Sequence, residues 1–387
     1  MSGPVPGLTR KFWLKAETSY DTYIAIAATD AIDVIEGILE PEIEYEEMES
    51  HVGTASLQGH IEGNEANKWS LESYIMPGAV GVAPDLGPLL THAIGAETIV
   101  GGTSVTYEPI DTNPTAGLSI LIVAGAANEY YERANGAWCE SLTIEANQGE
   151  APKISASGGY GLHSMAKQGA NGTAIEPGGE SVIALDTKEA GCFVGEPLVK
   201  FDTEDNGGSG YQVTAVDHSA DTITITPVLA GGTEVGDLVH PVVVSQTLTG
   251  TPINGVQNTV TIGGTSVGLI KATVTIATGL IGLRDGTSQR PIRLMRPTKR
   301  RITGEIEIFE LVENTLETGQ AWNNATAAIN LQFGPATAAA RFKIEMPACK
   351  LKVVKPAWSD EDGLRMTLAF TAEQSAAAKD EIDLIFD

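Results

Sequence analysis

Apolar and polar residues alternate with a period of two in many short runs along the chain, and this pattern predicts antiparallel strands. Most runs are flanked by Gly, Pro, Asn or Asp, the residues that favour turns. The runs are Ala55–Ile61, Lys68–Ile75, Ser119–Val123, Ser141–Glu145, Thr222–Thr226, Lys271–Ala277, Gly304–Leu311, Phe342–Met346, Lys350–Val354 and Leu364–Phe370. A turn at Glu62–Asn64 predicts that the first two runs form a hairpin.

One segment has a helical rather than a strand period. Apolar residues at Leu86, Leu89, Leu90, Ala93 and Ile94 follow the spacing of one buried helix stripe. We expect Asp85 to cap the start of this helix and Gly95 to follow its end, with His92 on the polar side. The sequence thus predicts a mainly β fold, a sandwich or barrel with one flanking α-helix.

Residues 177–244 have their own turns and strands and predict a small inserted β domain. The segment contains the loop Asp205–Gly210 and two strands, Gly210–Val216 and Thr222–Thr226, on either side of a turn. Loops accept insertions because few core contacts cross them. The larger domain would then be discontinuous, formed by 1–176 and 245–387, although a long hairpin is the simpler interpretation of the same pattern.

The chain is strongly acidic, with a formal net charge of -26 over 387 residues. Such a chain repels nucleic-acid phosphates and is a poor candidate for direct DNA binding. The acidity favours either solubility or a surface that DNA passes without adhering. A hydrophobic content of 42% is enough to bury a core.

The charges are segregated along the sequence. An acidic stretch between Glu36 and Glu49 has no basic residue, and a basic stretch between Arg284 and Arg301 has a single acid, Asp285. The two stretches are either solvated loops or complementary patches that meet within a subunit or between identical subunits. The candidates for such charge pairs are Glu42, Glu44, Glu46, Glu47, Arg293, Arg296, Arg300 and Arg301.

The sequence offers no convincing catalytic or metal site. Gly264–Gly268 matches the G-x-S-x-G pattern, but the strand-like run that follows predicts a turn between strands rather than a nucleophile elbow. Asp202–Gly207 begins like a calcium loop, yet Val213 occupies the position of the required acid. The three cysteines are far apart and the histidines show no ligand spacing. We expect no enzyme activity, no cofactor and no metal.

No secretory signal and no apolar run of transmembrane length is visible in the sequence, so we expect a soluble protein made in the cytoplasm that does not bind membranes.

Several segments, in this order, resemble the major tail-tube proteins of long-tailed, siphovirus-type bacteriophages. The order of the elements carries the resemblance, because the motifs are loose. It covers most of the chain except residues 177–244. The segments are Lys11–Tyr20, the acidic stretch ending at Glu49, Gly53–Gly59, Trp69–Gly78, Pro84–Gly95, Glu140–Glu145, Thr303–Phe309 and Phe342–Pro347.

The resemblance implies a virion tail protein that is assembled in the host cytoplasm. Its hexameric rings would stack into a hollow tube, and strands of neighbouring subunits would join into an inner β-barrel through which phage DNA passes without specific binding. Other implied partners are the tape-measure, tail-tip and tail-terminator proteins, and the insertion would lie on the tube exterior. The lumen-lining candidates are Gln58, His60, Glu62, Glu72, Glu305, Glu307 and Arg365, which would form an acidic wall that repels phosphates.

Two alternatives remain open from the sequence. One is the tube of a contractile-tail or secretion-type machine, which shares the ring architecture. The other is a virion surface decoration or carbohydrate-binding β module. That module would need clustered exposed aromatic residues, and the insertion offers Phe193, Phe201 and Tyr211.

Overall fold

A computed structural model describes residues 10–47, 60–125, 130–167, 170–171, 179–186, 189–234, 237–256, 258–309, 326–335, 341–353, 357–359, 363–375 and 380–387. These ranges contain one α-helix, α1 (Gly87–Ile94), and two short 3-10 helices at Ala28–Asp30 and Glu189–Cys192. All other regular structure is β, and the mainly β fold predicted from the alternation is confirmed.

The strands before the insertion are β1 (Lys11–Ala16), β2 (Ala31–Ile32), β3 (Glu36–Glu40), β4 (Ile43–Glu47), β5 (His60–Glu65), β6 (Lys68–Tyr74), β7 (Gly95–Val100), β8 (Ser104–Pro109), β9 (Leu118–Ala124), β10 (Tyr130–Asn147), β11 (Lys153–Gly159) and β12 (Leu162–Lys167). Those in and around the insertion are β13 (Ala170–Asn171), β14 (Val182–Ala184), β15 (Phe193–Val194), β16 (Leu198–Phe201), β17 (Tyr211–Asp217), β18 (Thr222–Thr226) and β19 (Leu238–Pro241). The remaining strands are β20 (Thr259–Ile262), β21 (Thr265–Val267), β22 (Leu269–Ala277), β23 (Ile281–Leu283), β24 (Arg293–Met295), β25 (Arg301–Phe309), β26 (Thr326–Phe333), β27 (Phe342–Val353), β28 (Ala357–Ser359), β29 (Gly363–Ala372) and β30 (Asp383–Phe386).

Eight strands form one continuous antiparallel ladder, which we call the long sheet. Its order is β3, β6, β11, β10, β22, β25, β29 and β27. The ladder does not return to its first strand within the described residues, so a closed barrel is not formed. One side of the long sheet is apolar and packs into a single core with α1 and with β1, β8, β9 and β30.

Strand β10 joins the long sheet to a second group of strands. Its first half pairs with β9 and β12, whereas its second half pairs with β11 and β22. The register shifts twice in between, near Gly136, whose φ is +62°, and again between Cys139 and Ser141. Such bulges bend a strand and increase its twist, which lets one strand serve two sheets.

The predicted helix is present but differs in detail. It spans Gly87–Ile94, with no side chain bonded to its first turn. Asp85 does not cap it, because its carboxylate accepts hydrogen bonds from the Thr249 N–H and hydroxyl instead. His92 lies on the buried side, not the polar side, and burial lowers its pKa to about 4. Gly95 has the expected positive φ, +147°.

The prediction that Ala55–Ile61 and Lys68–Ile75 pair as a hairpin is wrong, because β6 pairs with β3 and β11 and not with β5. The expected turn at Glu62–Asn64 lies inside strand β5, which pairs with the acidic strand β4. β5 continues into β6, which pairs with β3, so the chain does not reverse between β5 and β6. At this junction the Asn67 side chain accepts a hydrogen bond from the Glu42 N–H at 3.0 Å and donates one to Gly161 O at 3.0 Å. Residues 55–59 lie outside the described residues.

The insertion contains a separate six-stranded sheet in the order β13, β19, β16, β17, β18, β14. Its strands span 170–241, so the sheet begins before the predicted boundary at 177. Its apolar side shares one buried cluster with Trp13, Leu121, Val123, Tyr131 and Ala166 of the main body. The insertion therefore covers apolar surface of the larger unit, while its independent folding stays a prediction.

Asp383 should make the stability of the fold depend on pH. Burial and the nearby acids Glu108 and Glu345 raise its pKa to about 6. The stability associated with the protonated form is present below the unfolded pKa, near 4, and is lost as pH rises through 6. Asp383→Asn should therefore stabilise the protein at pH 8, by about 1 kcal/mol once solvent screening is allowed for. Urea unfolding at pH 4 and pH 8 measures this.

Asp217→Asn serves as a control, because its expected change in stability at pH 8 has the opposite sign. Hydrogen bonds from the Ser219 hydroxyl and from the Ala220 and Ser219 N–H groups lower the pKa of Asp217. Its neutral variant should lose stability at pH 8. A gain for Asp383→Asn that is the same at both pH values would contradict the assignment.

Candidate functional site

The side of the long sheet opposite the core is polar, and its residues form registered rows across the strands. One row runs from edge to edge as Glu36, Glu72, Ser155, Thr143, Thr275, Thr303, Thr371 and Lys350. We call its five central residues, Ser155 to Thr371, the hydroxyl row. The Thr143 and Thr275 hydroxyls are 3.3 Å apart. Short β-branched hydroxyl residues suit a strand surface that contacts water.

This polar face is concave. A hollow of about 540 Å³ lies over β22, β25 and β29, and a second of about 250 Å³ lies over β3, β6, β11 and β10. Residues of the hydroxyl row line both hollows. The face is therefore a broad polar trough and not a narrow pocket of the kind that encloses a small substrate.

Charges of both signs are distributed over the face and are partly paired. Lys153 Nζ lies 3.0 Å from Glu72 Oε1, and Arg365 Nη1 lies 3.5 Å from Glu307 Oε1. Lys271 is the cross-strand neighbour of Glu307. Basic and acidic residues occur in nearly equal numbers: Lys68, Lys153, Lys271, Arg301, Lys350, Lys352 and Arg365 against Glu36, Glu40, Glu72, Glu145, Glu305 and Glu307. The face is charge-balanced, unlike the acidic wall expected from the sequence.

The structure brings together four of the seven lumen-lining candidates. Glu72, Glu305, Glu307 and Arg365 all lie on the polar face of the long sheet. His60 and Glu62 belong to β5, which pairs with β4 and not with the long sheet. Gln58 lies outside the described residues.

The hydroxyl residues of the face were missed as site candidates. Their signal was present in the Ser141–Glu145 and Lys271–Ala277 runs, where Ser or Thr occupies alternate positions.

Among the candidate residues whose side chains the structure describes, no ion pair joins the two charged stretches within the chain. Glu42 Oε2 lies 3.7 Å from Lys68 Nζ, and Glu44 is exposed, while β4 also carries Glu46 and Glu47. Arg296 donates to Thr278 O and Ile110 O, both at 3.0 Å. Arg293 and Arg301 are exposed.

Arg300 is an internal anchor. Its side chain is 4% exposed, its Nη1 lies 2.9 Å from Glu381 Oε1, and its Nη2 donates to Ile94 O at the end of α1. Arg290 of the basic stretch does form an ion pair, with its Nε 2.9 Å from Glu65 Oε1, but Glu65 belongs to β5 and not to the acidic stretch. Pairing of the exposed candidates between subunits stays a prediction.

The two edges of the long sheet have opposite charges. Strand β3 presents Glu36 and Glu40 on the polar face, together with Ile38, which is 45% exposed. At the other edge, β27 presents Lys350 and Lys352. β3 pairs with β6 on one side, and β26 covers β27 only as far as Lys350, so both edges have free strand segments within the described residues.

The other candidate motifs show no reactive arrangement in the described parts of the chain. Gly264 lies in the turn of the β20–β21 hairpin, whereas Ser266 lies inside strand β21 and not in a turn. The run that follows is strand β22, as expected, and not a helix. Asp202 accepts hydrogen bonds from His240 and from the Leu238 N–H, and no group of three or more His, Cys, Asp or Glu side chains that could hold a metal ion occurs in those ranges. No helix found there is long and apolar enough to cross a membrane.

No protein-family model matches this chain, and no curated protein sequence matches it.

Removal of the Arg300 side chain should destabilise the fold rather than an interface. Arg300→Met breaks a buried ion pair and leaves Glu381 and the Ile94 carbonyl without their partner, which should cost about 3 kcal/mol. The free energy of unfolding from urea titration measures this. Arg301→Gln, one residue away but exposed on the polar face, should change the value by less than about 0.5 kcal/mol. Equal effects of the two variants would contradict the anchoring role.

Proposed function

We propose that this chain is the tail-tube subunit of a long-tailed bacteriophage, a structural protein whose rings stack into a conduit for DNA. The observation that carries the proposal is the long sheet, with a concave polar face and oppositely charged edges. The sequence resemblance to tail-tube proteins supports the same function and is the source of the hexameric ring and of the tail partners.

The polar face supports the proposal because it is too broad and too open for a small-molecule site. A trough that extends over seven strands is one segment of a larger curved wall when several copies stand side by side. Its row of short hydroxyl residues leaves a smooth surface, since no bulky side chain stands in the middle of the row. Such a wall suits the passage of a long polymer.

The edges support the proposal because free strand edges promote pairing with other chains. An acidic edge and a basic edge on one subunit are complementary in a head-to-tail arrangement, and such heterologous contacts close into a ring when the rotation between copies permits it. We assign the contact between neighbouring subunits to β3 of one copy and to the Leu351–Val353 end of β27 of the next, with Lys350 at its border.

A carbohydrate-binding module is less well supported. Phe193, Phe201 and Tyr211 are buried in the insertion and form no exposed platform. The tube of a contractile-tail or secretion-type machine would share every feature above. The presence of a sheath protein in the native particle would distinguish that system.

Charge reversal at the two edges tests the proposed contact. Glu36→Lys with Glu40→Lys gives a subunit with two basic edges, and Lys350→Glu with Lys352→Glu gives one with two acidic edges. Each variant alone should fail to form rings because like charges face each other across every contact. An equimolar mixture should form rings of alternating subunits, visible by negative-stain microscopy and sedimentation.

Lys200→Glu serves as the matched control, since Lys200 is exposed on the inserted sheet away from both edges. It should assemble like the unmodified protein. Wild-type protein that stays monomeric at high concentration would overturn the proposed function. Variants that assemble singly, or a mixture that does not assemble, would overturn the edge assignment.

A further inference from the structure

The chain has a net charge of -26, yet the polar face of the long sheet has nearly equal numbers of acids and bases. The acidic excess therefore lies on other surfaces. Charges more than about 10 Å from a solvated ion are largely screened at 0.1 M salt. A polymer in the trough would be influenced mainly by the balanced face and little by the remote acids.

Two acids on the central strands of the face lie beside partners of opposite sign. Glu72 has Lys153 at 3.0 Å, and Glu307 has Arg365 at 3.5 Å, with Lys271 as its cross-strand neighbour. Each pair is short-ranged in its effect, because the fields of two opposite charges at this distance cancel a few ångströms away. Between the pairs lies the hydroxyl row, which has no formal charge.

We infer that the lining of the proposed conduit is electrically neutral toward DNA, with the hydroxyl row as its contact surface, and neither repels nor retains the phosphate backbone. This inference rests on the proposed function and specifies how the lining acts on its polymer. Hydroxyl groups exchange hydrogen bonds with water and phosphate oxygens at little net gain, so contacts form and break without a preferred position. Few counterions are released on contact, so salt should have little effect.

A partition experiment on assembled tubes tests the inference. Tubes are equilibrated with a short blunt-ended DNA duplex and with a neutral dextran of equal hydrodynamic size, and both are measured in the sedimented tubes. For the wild type, the ratio of duplex to dextran should stay near one between about 50 and about 200 mM salt. An acidic lining would exclude the duplex at low salt, and a basic lining would concentrate it; either result overturns the inference.

Two sets of variants should change the ratio of duplex to dextran in opposite directions. Lys153→Gln with Arg365→Gln removes the bases 3.0 Å from Glu72 and 3.5 Å from Glu307 and leaves five bases against six acids on the face, so the duplex should be excluded at low salt and admitted at high salt. Thr143→Lys with Thr303→Lys places two cations in the hydroxyl row and should raise the retained duplex roughly tenfold at low salt. Both effects should disappear as salt rises.

Thr214→Lys with Thr226→Lys is the matched control, because it adds the same charge at exposed positions of the inserted sheet. An equal rise in retained duplex for this control would show that DNA responds to charge anywhere on the particle, and would overturn the assignment of the lining to the long sheet. If microscopy shows no rings, the proposed function and this inference fail together. If rings form and the wild-type ratio departs from one, the inference alone fails.

Discussion

The backbone groups at the edges of a sheet need partners, and an open ladder of eight strands leaves two edges exposed. The long sheet does not close on itself in the described residues, so its ends are β3 and the last part of β27. Glu36 and Glu40 lie at one end, Lys350 and Lys352 at the other. In the assembly that we propose, these two ends form the two halves of one contact between neighbouring subunits, and such a head-to-tail contact can close into a ring.

Apolar and polar residues alternate along the strands, and this alternation separates the core from the surface. Ile306 and Leu368 are buried on one side of neighbouring strands, whereas Glu305 and Thr367 lie on the other. A shift of one residue in register would exchange the two sides, so the apolar core fixes the polar face. The core is shared with α1, and Arg300 ties the end of that helix to Glu381 near β30. Packing behind the sheet therefore determines the arrangement of the hydroxyl row in front of it.

The sequence predicted the strands and the helix well because period-two and helical spacing are local signals. It failed at Glu62–Asn64, because β5 and β6 run on in the same direction and pair with β4 and β3, strands that the local pattern does not identify as partners. His92 was misplaced because the body covers the helix on more sides than one amphipathic stripe suggests. Sequence reasoning found part of the site. Glu305 and Glu307 were found by their charge, but Thr143, Thr275 and Thr303 form a row only after three strands that are distant in sequence are brought into register.

Net charge is a property of the whole chain, and it proved a poor guide to one surface. The acidic composition suggested an acidic wall, yet Lys153, Lys271 and Arg365 lie among the acids of the polar face. Acids elsewhere are crowded, as around Asp383, where Glu108 and Glu345 raise its pKa. Such crowding keeps separate particles apart and favours solubility. The two roles of charge thus belong to different parts of the chain: the acidic excess lies elsewhere, and local pairing occurs on the face that we propose DNA to pass.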